Sequence, residues 1–301
     1  MTSVRSVAVV TIVHGRHVHL RRHLRAIDAM TTAVDHVVVA MGDPAVAGIV
    51  ERLCPEPSGP GRAAGRRQVV EVDLAGNGEL PLGEARNVGA RVALREGAEL
   101  LIFLDVDCLP AAGLVDDYLG AVRHADDRPG PVLWCGEVAY LPPLPPGVRD
   151  YPLADLDAWA SPHPARPRLA PGTTRFSSDM RMFWSLNFAV TAPDWFRCGG
   201  FHRGYVGYSC EDTDLAMAVG AAGGELGWIG GARAFHQHHP TATPPWQHLD
   251  AIVRNALVFR ARWGWFPMEG WLTAFAEAGA VDFRPSQGVL RLTRSVEAGV
   301  P

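Results

Sequence analysis

Asp105 and Asp107 end the stretch Leu100-Leu101-Ile102-Phe103-Leu104-Asp105-Val106-Asp107-Cys108-Leu109-Pro110, in which five apolar residues run straight into two carboxylates. Such a run predicts a buried strand with acids at its carboxyl end. On a strand, residues i and i+2 point the same way, so the two carboxylates are expected to share a face. Paired acids beside apolar surface repel unless a cation or donors lie between them, and a hard divalent metal with a phosphate ligand suits that geometry. Asp is also a common turn residue, so an isolated D-x-D reads equally as a polar strand end.

A second acidic group lies downstream, where Gly207-Tyr208-Ser209-Cys210 leads into Glu211-Asp212-Thr213-Asp214 and then an Ala-rich helix. Acids at a helix N-terminus are stabilised by the macrodipole and can cap the first turn, which is the structural role open to Asp212 and Asp214. The chemical role is that of a general base, a carboxylate that takes the proton of a sugar hydroxyl as its oxygen attacks. Tyr205 and Tyr208 would offer flat surfaces for sugar rings. Further on, Phe235-His236-Gln237-His238-His239-Pro240 holds three imidazoles in four positions, a pattern that suits a divalent transition metal.

The elements that must position these groups alternate. Residues 7–13 predict a first strand, 19–30 an amphipathic helix with Leu20, Leu24 and Ile27 on one face, and 36–41 a second strand that Gly42-Asp43-Pro44 ends. A Gly/Pro/Arg-rich loop follows over 55–67, then a strand over 69–74 and a helix over 83–99 that feeds the strand ending at Asp105. Alternation of this kind predicts an open, mostly parallel α/β sheet with its ligand crevice at the strand carboxyl ends. Residues 141–174 carry nine prolines, which largely exclude regular helix or central strand there, and a loop so long inside a domain is expected to be mobile or to act as a lid. A helix ending near 223, a strand over 226–229 and an amphipathic helix over 248–262 complete the pattern, and tryptophans follow at 263, 265 and 271.

Composition bounds the rest. The 301 residues are 48% hydrophobic and 20% charged, enough for a large core, and the net charge of -4 gives no nucleic-acid footprint. All 28 Lys and Arg positions are Arg. Five scattered cysteines without a C-x-x-C pair indicate a reduced, cytoplasmic protein. No run reaches the roughly 20 apolar residues of a transmembrane helix, which leaves peripheral contact with the inner face of a membrane as the expected limit of membrane association.

The chain resembles the nucleotide-sugar-dependent glycosyltransferases of the GT-A fold, in particular family 2 and the related galactosyl- and N-acetylgalactosaminyltransferases. Four motifs carry the resemblance in order: Ile12-Val13-His14-Gly15-Arg16-His17-Val18-His19-Leu20, with His14 where Arg is usual; Leu82-Gly83-Glu84-Ala85-Arg86-Asn87-Val88-Gly89-Ala90, similar to the ARNxG helix; Asp105-Val106-Asp107 at the D-x-D position; and residues 207–214 at the acceptor and base motif. The 25-residue interval from Glu211 to His236 is also similar to that family's gap to a metal-binding His.

The resemblance implies a Rossmann-like catalytic domain over residues 1–240, with a nucleotide-sugar half over 1–110 and an acceptor half over 111–240. A C-terminal helical extension over 241–301 would pack on it. It also implies a nucleotide diphosphate sugar donor, UDP favoured, held near His14, Arg16, Asp43, Arg86 and Asp105, and a glycan, lipid or small-molecule acceptor near Tyr205, Tyr208 and Glu211. A Mn²⁺ or Mg²⁺ ion would sit on Asp107 and His236, with Asp105, His238 and His239 as further candidates. Asp212 would act as base with Glu211 as the alternative, and the Glu-Asp pair implies inversion. The competing expectations are a catalytically silent domain that binds a nucleotide sugar or a protein partner, and a sugar-phosphate nucleotidyltransferase.

Overall fold

The computed structural model describes residues 4–53, 65–123, 128–164 and 166–293. The Gly/Pro/Arg-rich loop expected over 55–67 lies almost wholly outside them.

The first half is built from β1 (Val7–Val13), α1 (His17–Asp28), β2 (Asp35–Met41), α2 (Ala45–Arg52), β3 (Arg67–Val72), α3 (Leu82–Arg95), β4 (Leu100–Leu104), β5 (Cys108–Pro110) and α4 (Leu114–Val122). The second half adds β6 (Val132–Cys135), β7 (Val138–Tyr140), α5 (Leu156–Trp159), β8 (Ser161–Pro162), β9 (Thr174–Ser177), β10 (Asn187–Thr191), α6 (Ala192–Cys198), α7 (Glu211–Ala221), β11 (Glu225–Ile229) and β12 (Ala234–His236). The chain closes with α8 (Leu249–Trp263), α9 (Glu269–Glu277), β13 (Val281–Arg284) and β14 (Val289–Leu292).

An eight-stranded sheet runs β3-β2-β1-β4-β10-β6-β11-β9. Its first four strands are parallel, β10 is antiparallel to both neighbours, and β9 closes the far edge antiparallel to β11. The four parallel carboxyl ends therefore share one rim. β4 is buried at every position, as its unbroken apolar run requires of a central strand covered on both faces. One covering layer includes α3, whose Gly89 lies so close to β1 that an added Cβ would meet Val10 Cγ1 at 2.4 Å. That contact accounts for glycine in the ARNxG-like helix.

A second sheet, β5-β12-β7-β8, stands beside the rim and pairs His236 with Cys108. This pairing carries the His-rich segment to the D-x-D turn. The C-terminal extension is not purely helical: after α8 and α9 the chain forms a β13–β14 hairpin that packs back on α8 and α9. Among its described residues the proline-rich segment holds one 3-10 turn (Leu153–Asp155), the one-turn helix α5 and the two-residue strand β8, in place of a longer helix or central strand. It is tied to α1 by Asp150, which pairs with Arg22 and Arg25, and by Arg22 over the ring of buried Tyr151 at 5.5 Å, while the Tyr151 hydroxyl donates within the segment to Pro142 O at 2.7 Å.

Candidate active site

The rim opens into a cleft of about 1890 Å³ lined by the D-x-D turn, the start of α7, the His-rich segment and the C-terminal aromatics. β4 ends at Leu104, so Asp105 and Asp107 sit in the turn that follows, closed by the Cys108 N–H on Asp105 O at 2.8 Å. The strand alternation expected to place both acids on one face stops one residue too early, and their carboxylates find different partners.

Asp107 Oδ2 lies 3.2 Å from Arg16 and 3.4 Å from His239 Nε2, while Oδ1 lies 3.6 Å from His236 Nε2. One oxygen and two imidazole nitrogens from Asp107, His236 and His239 fall within 4.8 Å of one another, a mixed N/O donor set that suits a divalent transition metal. Burial works to raise the Asp107 carboxyl, yet the His239 hydrogen bond and the His236 and Arg16 charges hold it well below the usual carboxylate range. Burial lowers His236, which favours the neutral imidazole a metal needs. His238 is exposed and Asp105 turns elsewhere, so neither joins this set.

Asp105 Oδ1 accepts from Arg86 NH2 at 2.9 Å, and the same guanidinium donates from NH1 to Glu211 Oε1 at 3.2 Å. Arg86 is thus a buried tie between the two acidic motifs at the wall of the cleft. Its helix also holds the loop before α7, because Asn87 exchanges two hydrogen bonds with the Phe201 backbone at 2.8 and 2.9 Å. Burial, opposed by Arg86 and aided by the Asp107 charge, pushes Asp105 up to about 6. Burial and then the Asp212 charge push Glu211 up to about 7. Glu211 Oε2 is buried and has no hydrogen-bond partner among the described residues. Asp212 is raised, chiefly by burial, against the Thr213 backbone N–H that donates to its Oδ1 at 2.6 Å.

The entry to α7 is strained: Ser209 and Cys210 adopt φ of 84° and 77°, a region costly for residues with a Cβ. Asn255 of α8 holds this turn by donating to the carbonyls of Val206, Tyr208 and Ser209 at 3.0 to 3.1 Å.

His14 and Arg16 line the cleft from the turn after β1. Asp43 does not line it; its carboxylate accepts from the Gly15 N–H at 2.8 Å and His17 at 2.8 Å, shaping the left-handed turn that carries Arg16 to Asp107. Tyr205 is also displaced from its expected role: it is buried, and its hydroxyl donates to Asp214 at 2.9 Å. Tyr208 does face the cleft, stacked on His248 at 4.5 Å and against Trp271 at 6.3 Å. Asp214 is no cap; its carboxylate accepts from Tyr205, Arg262 and Trp263 and so anchors α8.

Other cleft residues, His163, Trp184, Trp246 and Trp265 among them, come from segments in which only the dense prolines and tryptophans signalled a site. Behind the D-x-D turn, four hydrogen bonds run in one direction. Arg67 Nε donates to His36, His36 Nε2 to Thr11, Thr11 to His23 Nε2, and His23 Nδ1 to Cys108 O, at 3.4, 3.0, 3.0 and 2.6 Å. A donor-only guanidinium at one end and an acceptor-only carbonyl at the other set the tautomer of each buried imidazole.

No family model matches the sequence. Among solved structures, GalNAc-T7 with UDP, GalNAc and Mn²⁺ superposes with a TM-score of 0.56 at 15% identity, covering 86% of this chain and 48% of that one. S. aureus TarS 1-349 superposes at 0.55 and 14% identity, covering 84% and 65%. The fold is that of the GT-A glycosyltransferases. Two curated relatives, the validoxylamine A glucosyltransferases of Streptomyces hygroscopicus subsp. jinggangensis and subsp. limoneus, are each 31% identical over 159 residues, 46% of this chain. The chain spans about a third of their length, 35% and 32%. In this GT-A chain the D-x-D turn, the Glu-Asp pair and the His-rich strand all meet at the carboxyl rim of the parallel strands.

Proposed function

We propose that this protein is a metal-dependent, inverting glycosyltransferase that moves a hexose from a nucleotide diphosphate sugar, UDP favoured, to a hydroxyl acceptor. The observation that carries the reading is the Asp107, His236 and His239 donor set, which opens on the same cleft as the Glu211-Asp212 pair. The likeness to a GT-A enzyme solved with UDP and Mn²⁺ supports the donor and cation, and the relatives named glucosyltransferases support hexosyl transfer.

Asp107, His236 and His239 would hold Mn²⁺ or Mg²⁺, and the chemistry such an ion supplies is neutralisation of the charge that grows on the diphosphate. Arg16 lies within reach of the same position and adds positive charge there. Asp212 takes the acceptor proton while the acceptor oxygen bonds to the anomeric carbon, and the bond from that carbon to the diphosphate breaks on the opposite face. Glu211, fixed by Arg86 through Oε1, stands beside Asp212 as the alternative base or acceptor-holding group. Tyr208 and Trp271 supply the apolar wall on which the acceptor ring rests.

Thermal-shift screening against UDP-, GDP- and dTDP-sugars, each with Mn²⁺ and with EDTA, tests the reading. Binding to the folded state raises the melting temperature by mass action. A Mn²⁺-dependent rise with one nucleotide class is expected, and no rise with any of them would count against it.

A further inference from the structure

Gln237 is a fully buried amide in the His-rich segment, next in sequence to His236, and it does not line the cleft. Its backbone N–H donates to Asp107 O at 2.7 Å, which continues the ladder that pairs His236 with Cys108. Its side-chain Nε2 donates to His19 O at 3.2 Å and, more weakly, to Val106 O at 3.5 Å. Both neighbours of Nε2 are carbonyl oxygens, so the amide sits with its NH₂ toward them; the flipped amide would set oxygen against oxygen.

These bonds gather three segments that lie far apart in the chain. Val106 and Asp107 belong to the D-x-D turn, and Gln237 itself lies between His236 and His239. His19 belongs to the first turn of α1, whose N-cap residue Arg16 is 3.2 Å from Asp107. One residue therefore fastens every stretch of chain that supplies the candidate ligands or the cation beside them.

The amide does little for stability. Oε1 is buried without a hydrogen-bond partner among the described residues, and the two Nε2 bonds are long. A half-satisfied buried amide recovers little of its desolvation cost, and an apolar side chain of the same shape can fill the space nearly as well. What the amide adds is position. We infer that Gln237 is a positioning residue for the Asp107, His236 and His239 donor set, locking the D-x-D turn, the His-rich segment and the start of α1 in the register that brings those ligand atoms within 4.8 Å of one another. The inference rests on the proposed role of that set in holding a divalent cation and extends it to a residue outside the cleft lining. Donor atoms already held in place lose less freedom when an ion binds, so loosening them lowers affinity.

The test is Mn²⁺ binding to the full chain without nucleotide, followed by the electron paramagnetic resonance signal of free Mn²⁺, with the metal-free melting temperature measured alongside. Gln237→Met keeps the length of the side chain and removes both Nε2 bonds and the unpartnered oxygen. It is expected to weaken Mn²⁺ binding about tenfold or more. Its metal-free melting temperature should stay within about 5 °C of the wild type. Gln237→Asn, whose amide is one methylene shorter, is expected to weaken binding to a similar degree and serves as the comparison should Gln237→Met not fold. Unchanged affinity in the folded variant would overturn the inference. So would a loss of affinity accompanied by a larger fall in melting temperature, which would mark general loosening. Asp107→Ala, which removes a ligand, is expected to abolish binding and so keeps the two readings apart. A wild type that binds no Mn²⁺, or an Asp107→Ala that binds as well as the wild type, would overturn the donor set and this inference with it.

Discussion

Asp105 and Asp107 stand two positions apart with their carboxylates committed to different partners: Asp105 bonds Arg86 at 2.9 Å, and Asp107 faces Arg16 at 3.2 Å with His236 and His239 beside it. The D-x-D turn therefore divides its labour. Through Arg86, Asp105 is joined to Glu211 at the start of α7, while Asp107 is left to His236 and His239, the candidate metal ligands.

Asp212→Asn separates chemistry from structure. The amide oxygen can still accept from the Thr213 N–H, so α7 keeps its first turn, but no carboxylate remains to take a proton. Turnover is expected to fall by roughly 10²–10⁴-fold with donor affinity unchanged. In the wild type Asp212 is raised, chiefly by burial, so activity should rise with pH as that carboxyl ionises. Steady-state rates across pH alongside calorimetric donor binding check this, and near wild-type turnover would move the role to Glu211.

Asp214→Asn should act in the opposite sense. The buried carboxylate accepts from Tyr205 at 2.9 Å and from Arg262 and Trp263 at 2.7 Å each, and loss of its charge leaves the α8 contacts uncompensated. A cost of about 3 kcal/mol is expected in urea unfolding. A loss below about 0.5 kcal/mol would return Asp214 to a local role in its own helix.

His23 sets a pH dependence with a definite sign. Burial lowers its pKa to about 4 from the ordinary 6.5, so between those values the unfolded chain binds a proton that the native state refuses. Stability from this site is intact above about 6.5 and declines as pH falls toward 4, by on the order of 3 kcal/mol. Asp105 and Glu211, with raised values, contribute the reverse slope over part of the same window, so the difference between wild type and His23→Gln isolates the effect. Denaturant unfolding of both proteins at pH 4.5 and 7.5 should show the wild-type advantage shrinking at the lower pH, and a constant difference would contradict the neutral hydrogen-bonded chain.

Much of the first half of the chain was legible because local pattern decides it. β1 falls on the predicted 7–13, and β4, α3 and α8 lie within a few residues of their apolar periodicity. α2 was missed because Gly42-Asp43-Pro44 reads as a turn and its eight residues carry little pattern; Pro44 in fact precedes the helix. The Arg262 and Trp263 partners of Asp214 were illegible for a different reason. They lie on α8, and no local rule connects the start of one helix to the end of another 48 residues on. His163 stands among prolines that suppress every periodic signal, and it lines the cleft just after β8.

The central claim is tested most directly by the identity and metal dependence of the leaving group. Wild-type protein and Asp107→Ala would be incubated with UDP-, GDP- and dTDP-sugars and a panel of hydroxyl acceptors, with Mn²⁺ or with EDTA. Nucleoside diphosphate and pyrophosphate would be quantified separately, and circular dichroism would confirm that the variant is folded. The account predicts Mn²⁺-dependent release of nucleoside diphosphate by the wild type, with release abolished in folded Asp107→Ala. Release of pyrophosphate instead, or equal nucleoside diphosphate release by the two proteins, would contradict it.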